Sequence, residues 1–148
     1  MEAALALAGM AGAAFVAATL LPAQSEAVFV ALLAAGSVDP LALFLTASLA
    51  NAAGSVVNWL IGALIARAGP ERLPAWLRPN PASLARARNW FARHGWPSLL
   101  FAWLPFVGDP LTLVAGTLNY PLGRFVALVL LGKAARYGAL WAGWTAWA

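Results

Sequence analysis

The chain has no cysteine and a single histidine, His94. Disulfides, iron–sulfur clusters and thiolate zinc sites are excluded, and no second imidazole exists to share a metal with His94. We therefore expect neither metal nor cofactor, and read His94 as an interfacial residue. Charge is also scarce, at 9% of residues, against about 25% in ordinary soluble domains. No Ser–His–Asp set, glycine-rich phosphate loop or metal-ligand cluster accompanies the few ionisable groups, so an enzyme is not expected. What is abundant is apolar: 63% of the 148 residues. Such a composition describes an integral membrane protein of one all-α domain. With about 20 residues needed per span, there is room for three or four full crossings plus partial ones. The net charge of +4 does not point to nucleic acid. Six of the nine basic residues lie between Arg67 and Arg93 beside hydrophobic stretches, where anionic lipid head groups are the expected counter-charge.

From Ala3 to Leu21 the residues are small or apolar apart from Thr19, enough for about 28 Å of helix. This run either spans the bilayer or forms one arm of a hairpin. Glu2 and the lack of Lys or Arg beside it argue against a cleaved signal peptide. A polar break follows, Pro22-Ala23-Gln24-Ser25-Glu26, and then Ala27 to Gly36, which covers only about 15 Å. Broken backbone at membrane depth is tolerated only where protein or a water-filled cavity covers it, so a re-entrant hairpin is predicted. Asp39-Pro40 turns the chain into a crossing helix over 41–66. On it Asn51, Gly54, Asn58 and Gly62 share one face, suited to close helix packing or, for the amides, to a polar site. The Pro-rich and Arg-rich stretch 67–81 reads as a surface loop. Asn80 as cap and Pro81 as first helical residue start an amphipathic helix that closes at His94-Gly95. Leu84, Ala87, Trp90 and Phe91 form its apolar arc, and Arg86, Arg88, Arg93 and Trp90 are candidates for contact with the lipid surface.

The second half repeats this order. Trp96 to Leu104 is a short apolar run, Pro105 to Asp109 a second break whose acid again lies four residues after the proline, and Pro110 to Leu118 another half-length run. After Asn119-Tyr120-Pro121 comes a last crossing helix over about 122–147, with a predicted stripe of Gly132, Arg136, Ala139 and Gly143. Asn51 is eleven residues after Pro40, and Gly132 eleven after Pro121. The expected architecture is an inverted repeat of re-entrant hairpin plus transmembrane helix. It divides as 1–66, a basic linker 67–95, and 96–148, an arrangement found in transporters. The arginines place the linker in the cytoplasm and both termini outside, with Trp141, Trp144 and Trp147 at the outer interface.

Glu26 and Asp109 are the acids within the hydrophobic segments. An unpaired charge at the bilayer centre costs at least about 2.5–3.5 kcal/mol, so a cation, a proton or a wet cavity must compensate. Lys133 and Arg136, about halfway along the last helix, are the candidate partners; ion pairs with no role beyond folding are the competing reading. Half-helices that begin at Glu26 and Asp109 would aim free amide groups inward, where anions such as phosphate are favoured. Asn51 and Asn58 complete the candidate substrate and proton site. Pro22, Gln24, Ser25, Pro105, Gly108 and Gly116 are the residues of the breaks.

The ordered set Leu20-Leu21-Pro22-x-x-Ser25-Glu26, Leu104-Pro105-x-Val107-Gly108-Asp109, Ala115-Gly116 and Gly132-Lys133-Ala134-x-Arg136-Tyr137 resembles the DedA family of membrane proteins, also called the SNARE-associated or VTT-domain family, and in particular its short YqaA-like branch. The resemblance spans nearly the whole chain. It implies two re-entrant hairpins facing each other and activity as a lipid transporter or scramblase, with bacterial relatives linked to undecaprenyl phosphate recycling and proton-dependent transport. By resemblance, Pro22, Glu26, Pro105 and Gly116 occupy motif positions. Members of that family typically carry two arginines around the second proline, where this chain has Ala102 and Gly108, followed by Asp109; Lys133 and Arg136 can supply positive charge from the next helix instead.

The expected function is transport of an anionic lipid, a polyprenyl phosphate or a phospholipid, across a bacterial inner membrane, with Glu26 and Asp109 responding to protons. The expected partners are membrane lipids, and a homodimer is a candidate assembly. Two other readings compete: a membrane-organising or assembly factor that transports nothing, and a proton-coupled exchanger of small solutes.

Overall fold

The computed structural model describes residues 1–19, 24–104 and 107–147, so Pro22 and Pro105, with Leu20, Leu21, Ala23 and Phe106, lie outside the described residues. The described chain is helical, without strands. Six α-helices follow in order: α1 (Glu2–Ala17), α2 (Ser25–Ala35), α3 (Pro40–Ala68), α4 (Pro81–His94), α5 (Gly108–Thr117) and α6 (Leu122–Trp147). Two single 3₁₀ turns, Pro70–Arg72 and Ala75–Leu77, occupy the linker, and a longer 3₁₀ segment, Trp96–Phe101, precedes the second break.

Local chemistry sets most of these boundaries. The Asp39 carboxylate accepts from the amide of Ala42 at 2.8 Å, with Pro40 as the first residue of α3. Asn80 Oδ1 accepts from Ala82 and Ser83, with Pro81 opening α4. Each cap satisfies amides that have no partner within the helix. Gly36 ends α2 in the left-handed conformation at φ 61°, where a side chain would be strained.

Among the described residues α3 and α6 are the helices long and apolar enough to cross a membrane. The first apolar run is shorter in structure than in sequence. Its sixteen helical residues cover about 24 Å, short of the roughly 30 Å hydrocarbon core. The run before the second break is a 3₁₀ segment rather than an α-helix. Pro97 stands in its first turn, where a missing amide costs no bond, and Ser98 Oγ donates to the carbonyl of Gly95 at 2.5 Å.

Helix α3 is central. It packs against α1, α5 and α6, while α2 and the 3₁₀ segment both pack against α6. Exchanging the halves therefore exchanges the contacts: α1 on α3 with α2 on α6 becomes the 3₁₀ segment on α6 with α5 on α3. One core joins Met10, Ala14, Phe29, Leu43, Ala47 and Tyr137, and a second joins Leu99, Ala102, Ala115, Phe125 and Val129.

Glycines set the closest approaches. A Cβ at Gly62 would meet the carbonyl of Leu113, one at Gly116 the carbonyl of Trp59, and one at Gly54 the carbonyl of Phe15. The predicted small face of α3 is thus its packing face against α1 and α5. Gly116→Val is expected to lower stability by about 1–3 kcal/mol through overpacking, read as a lower melting temperature in detergent. Gly143→Val, with nothing within 4 Å of its Cβ position, serves as the unaffected control.

Two faces differ from the sequence reading. On α6 the buried residues are Phe125, Val129, Gly132, Lys133 and Tyr137, while Ala139 and Gly143 are exposed. The stripe predicted through Gly132 and Arg136 leaves the core after Arg136, because the large apolar side chains, not the small ones, set the inward face. On α4, Ala87 is buried with Leu111 and Val114 of α5, and Leu84 and Phe91 pack beside it. That arc docks on protein rather than lipid. Trp90, at the edge of the arc, is 38% exposed and stacks on His94 at 4.4 Å.

Candidate functional site

A cavity of about 860 Å³ enters the bundle between the two breaks. The end of α1 (Ala17, Thr19), the start of α2 (Gln24, Glu26), Asn51 of α3, Asp109, Pro110 and Leu113 of α5, and Lys133 and Arg136 of α6 line its inner part. Its outer part is formed by Trp76, Arg78 and Asn80 of the linker with Ser83, Leu84 and Arg86 of α4. Space thus runs continuously from Glu26, Asp109, Lys133 and Arg136 to the basic segment.

The four ionisable groups predicted as candidates, Glu26, Asp109, Lys133 and Arg136, all line this one cavity. Glu26 Oε1 and the Arg136 guanidinium are in direct contact, each side chain 28% exposed. A second Arg136 nitrogen, Nη1, donates to the carbonyl of Trp103 at 3.1 Å. Lys133 Nζ stands 4.0 Å from Asp109 Oδ1, beyond ordinary hydrogen-bond length. The Lys133 side chain is only 4% exposed, whereas that of Asp109 is 36% exposed. Two carboxylates among the described lining residues face four cations, Arg78, Arg86, Lys133 and Arg136. The positive excess favours an anionic occupant.

Backbone ends contribute as well. Helix α2 begins at Ser25 and α5 at Gly108, and neither has a side-chain cap on its first amides. At the end of α1 the opposite problem, carbonyls without partners, is met from α3. Asn51 Nδ2 donates to Ala14 O at 2.9 Å and Asn58 Nδ2 to Ala18 O at 2.9 Å. Arg136 does the same for Trp103 in the second half. Asn51 also reaches the cavity wall, whereas Asn58 is fully buried and bonds Thr112 Oγ1 at 3.2 Å. The two amides therefore differ: both tie α1 to α3, and one touches the site.

Of the residues predicted for the breaks, Gln24 lines the cavity. Ser25 turns away into the core, its hydroxyl 2.7 Å from Tyr137 Oη. Gly108 is buried, with a Cβ there meeting the carbonyl of Ala102, and Gly116 packs on α3 away from the cavity. Arg86 lines the outer part; Arg88 is exposed and lines neither this cavity nor the groove beside α4.

Sequence reasoning named Tyr137 only within a motif and gave it no role; in the structure it joins Ser25 to Asn51 (Asn51 Nδ2 to Tyr137 Oη, 3.3 Å) directly beside Arg136. Its signal was present: Phe125, Val129, Lys133 and Tyr137 recur at every fourth position, one face of a helix. Trp76, Arg78 and Ser83 were missed for a different reason. Nothing local marks a linker residue as lining a cavity formed by helices far away in sequence.

Residues 6–142 match the model of the VTT domain. The chain is 37% identical over 140 residues to inner membrane protein YqaA of Escherichia coli (strain K12), covering 95% of this chain and 92% of that protein. It is 38% identical over 135 residues to an uncharacterized protein of Haemophilus influenzae, covering 86% and 80% respectively. No solved structure matches significantly.

Proposed function

The chain belongs to the VTT-domain, or DedA, family, and from that membership and its cavity we propose an inner-membrane transporter that moves a lipid with an anionic head group between leaflets. A polyprenyl phosphate and a phospholipid both carry such a group. The observation that carries the reading is the meeting of Glu26, Asp109, Lys133 and Arg136 in one space continuous with Arg78 and Arg86. A phosphate would be held by Lys133, by Arg136 once released from Glu26, and by the amides at the start of α2, which no side chain caps. Glu26 and Asp109 compete with the phosphate for these cations and take up protons when it displaces them, which links head-group movement to proton movement. The exchange of contacts between the halves supports an inverted repeat in which the two breaks meet within the membrane. The arginine-rich linker faces the cytoplasm in this reading, so the cavity opens to that side. The name of the Escherichia coli relative supports the inner membrane as location.

The test is purified protein in vesicles with labelled lipid. Labelled phosphatidylglycerol should change leaflet faster than in empty vesicles and faster than labelled phosphatidylcholine. Equal rates with and without protein would refute the proposal.

One observation favours the competing reading of an assembly factor: Glu26 and Arg136 are in direct contact, as a pair with a purely structural role would be. That reading predicts unchanged function when both acids are neutralised together by Glu26→Gln and Asp109→Asn.

A further inference from the structure

Arg86 borders two spaces at once, the outer part of the cavity and a separate groove of about 310 Å³ along α4. That groove is lined by Arg86, Asn89, Trp90, Arg93, His94 and Val107. Unlike the cavity, it has no carboxylate among its described lining residues. Its cations are also available. Arg86 reaches only the Ser83 hydroxyl, at 3.4 Å, and Arg93 has no hydrogen-bond or ion-pair partner among the described residues.

The rest of the groove is built rather than incidental. His94 Nδ1 lies 3.0 Å from the carbonyl of Trp90, and its ring rests on the indole at 4.4 Å, which fixes both rings as one wall. Val107 supplies a wall from the second break, two residues before Asp109. Helix α4 follows the linker that leaves the end of α3, a helix long enough to span, and is held against α5 through Ala87. Trp90 on α4 and Trp96 just beyond its end are exposed, as indoles are at the level of lipid head groups.

We propose that this groove is a docking site for the phosphate of an anionic lipid, and that Arg86 passes the phosphate from the groove into the cavity. The occupant is a lipid rather than a soluble anion, because the cations stand beside indoles at the membrane interface. Within the proposed transport function, the groove is where the head group waits before entry; as a binding site it does not depend on that function.

The experiment uses the full chain in phosphatidylcholine vesicles doped with a photoreactive phosphatidylglycerol. Cross-links should map to residues 86–94, and Arg93→Gln should reduce their yield about fivefold, the contribution of one cation at an anionic surface. Arg93→Lys should restore most of it. Movement of labelled phosphatidylglycerol should slow by a similar factor in Arg93→Gln, while binding of soluble glycerol phosphate to the cavity in detergent stays unchanged, since Arg93 does not line the cavity. Cross-linking that Arg93→Gln leaves untouched, or equal labelling by photoreactive phosphatidylcholine, would overturn the groove as a phosphate site. Arg93-dependent cross-links in a protein that moves no lipid would uphold the groove and refute the transport reading alone.

Discussion

Glu26→Ala is expected to reduce leaflet exchange of labelled anionic lipid to the level of empty vesicles. Glu26 opens α2 and touches the Arg136 guanidinium, while Ser25 beside it bonds Tyr137. Removing the carboxylate leaves Arg136 with the Trp103 carbonyl as its remaining polar partner among the described residues. An uncompensated charge at the centre of a bilayer costs about 2.5–3.5 kcal/mol, and Arg136 lies on a helix long and apolar enough to span one, so the variant should also melt lower. Loss of activity alone would therefore not separate chemistry from folding. The exchange Glu26→Arg with Arg136→Glu does separate them. It restores the pair and should recover the melting temperature to within about 1 kcal/mol of stability, the scale of pairwise coupling. Lipid movement should stay absent, because the acid then sits on α6 and the cation at the start of α2, where free amides disfavour it. Recovery of both properties would make the pair purely structural.

Lys133→Met is expected to slow lipid movement about 100-fold while leaving the fold intact. Lys133 is almost wholly buried, and its one acidic neighbour, Asp109, is 4.0 Å away, so its ammonium is poorly satisfied at rest. Removing one partner of an ion pair strands the other, but the Asp109 side chain is 36% exposed to the cavity and keeps its contact with water, so the melting temperature should fall only slightly. A phosphate in the cavity would lose a charged hydrogen bond worth about 1.5–3 kcal/mol, a factor of roughly 10 to 150. Asp109→Asn acts in the opposite sense on binding: it removes the competing carboxylate and should tighten competition by soluble glycerol phosphate. A Lys133→Met protein that melts far lower yet moves lipid at the normal rate would assign Lys133 to folding.

The ends of α3, α4 and α6 were legible in the sequence because they are written in local chemistry: Asp39-Pro40, Asn80-Pro81 and Asn119-Tyr120-Pro121. The acids and their cationic partners were legible for a different reason, since charge is rare enough in this chain that each instance stands out. The face of α6 was not, because counting small residues favoured Gly132, Ala139 and Gly143 over the spacing of Phe125, Val129 and Tyr137 that packing follows. The role of Asn51 and Asn58 was open in sequence and is specific in structure: their amides cap the end of α1, which no local pattern on α3 could disclose. Trp76, Arg78 and Ser83 reach the cavity only because α4 docks through Ala87 onto α5, a contact between segments whose apolar arc could equally have faced lipid.

Because the chain has no cysteine, one introduced thiol can report on the cavity alone. Ala17 lies on the cavity wall, and Leu131 on α6 is 62% exposed on the outer surface of the bundle. The decisive measurement is leaflet exchange of labelled phosphatidylglycerol by Ala17→Cys and Leu131→Cys proteins before and after reaction with a bulky maleimide. Filling the cavity at position 17 should stop exchange, and the same label at position 131 should leave it unchanged. Exchange that continues with the cavity filled would contradict transport through this site.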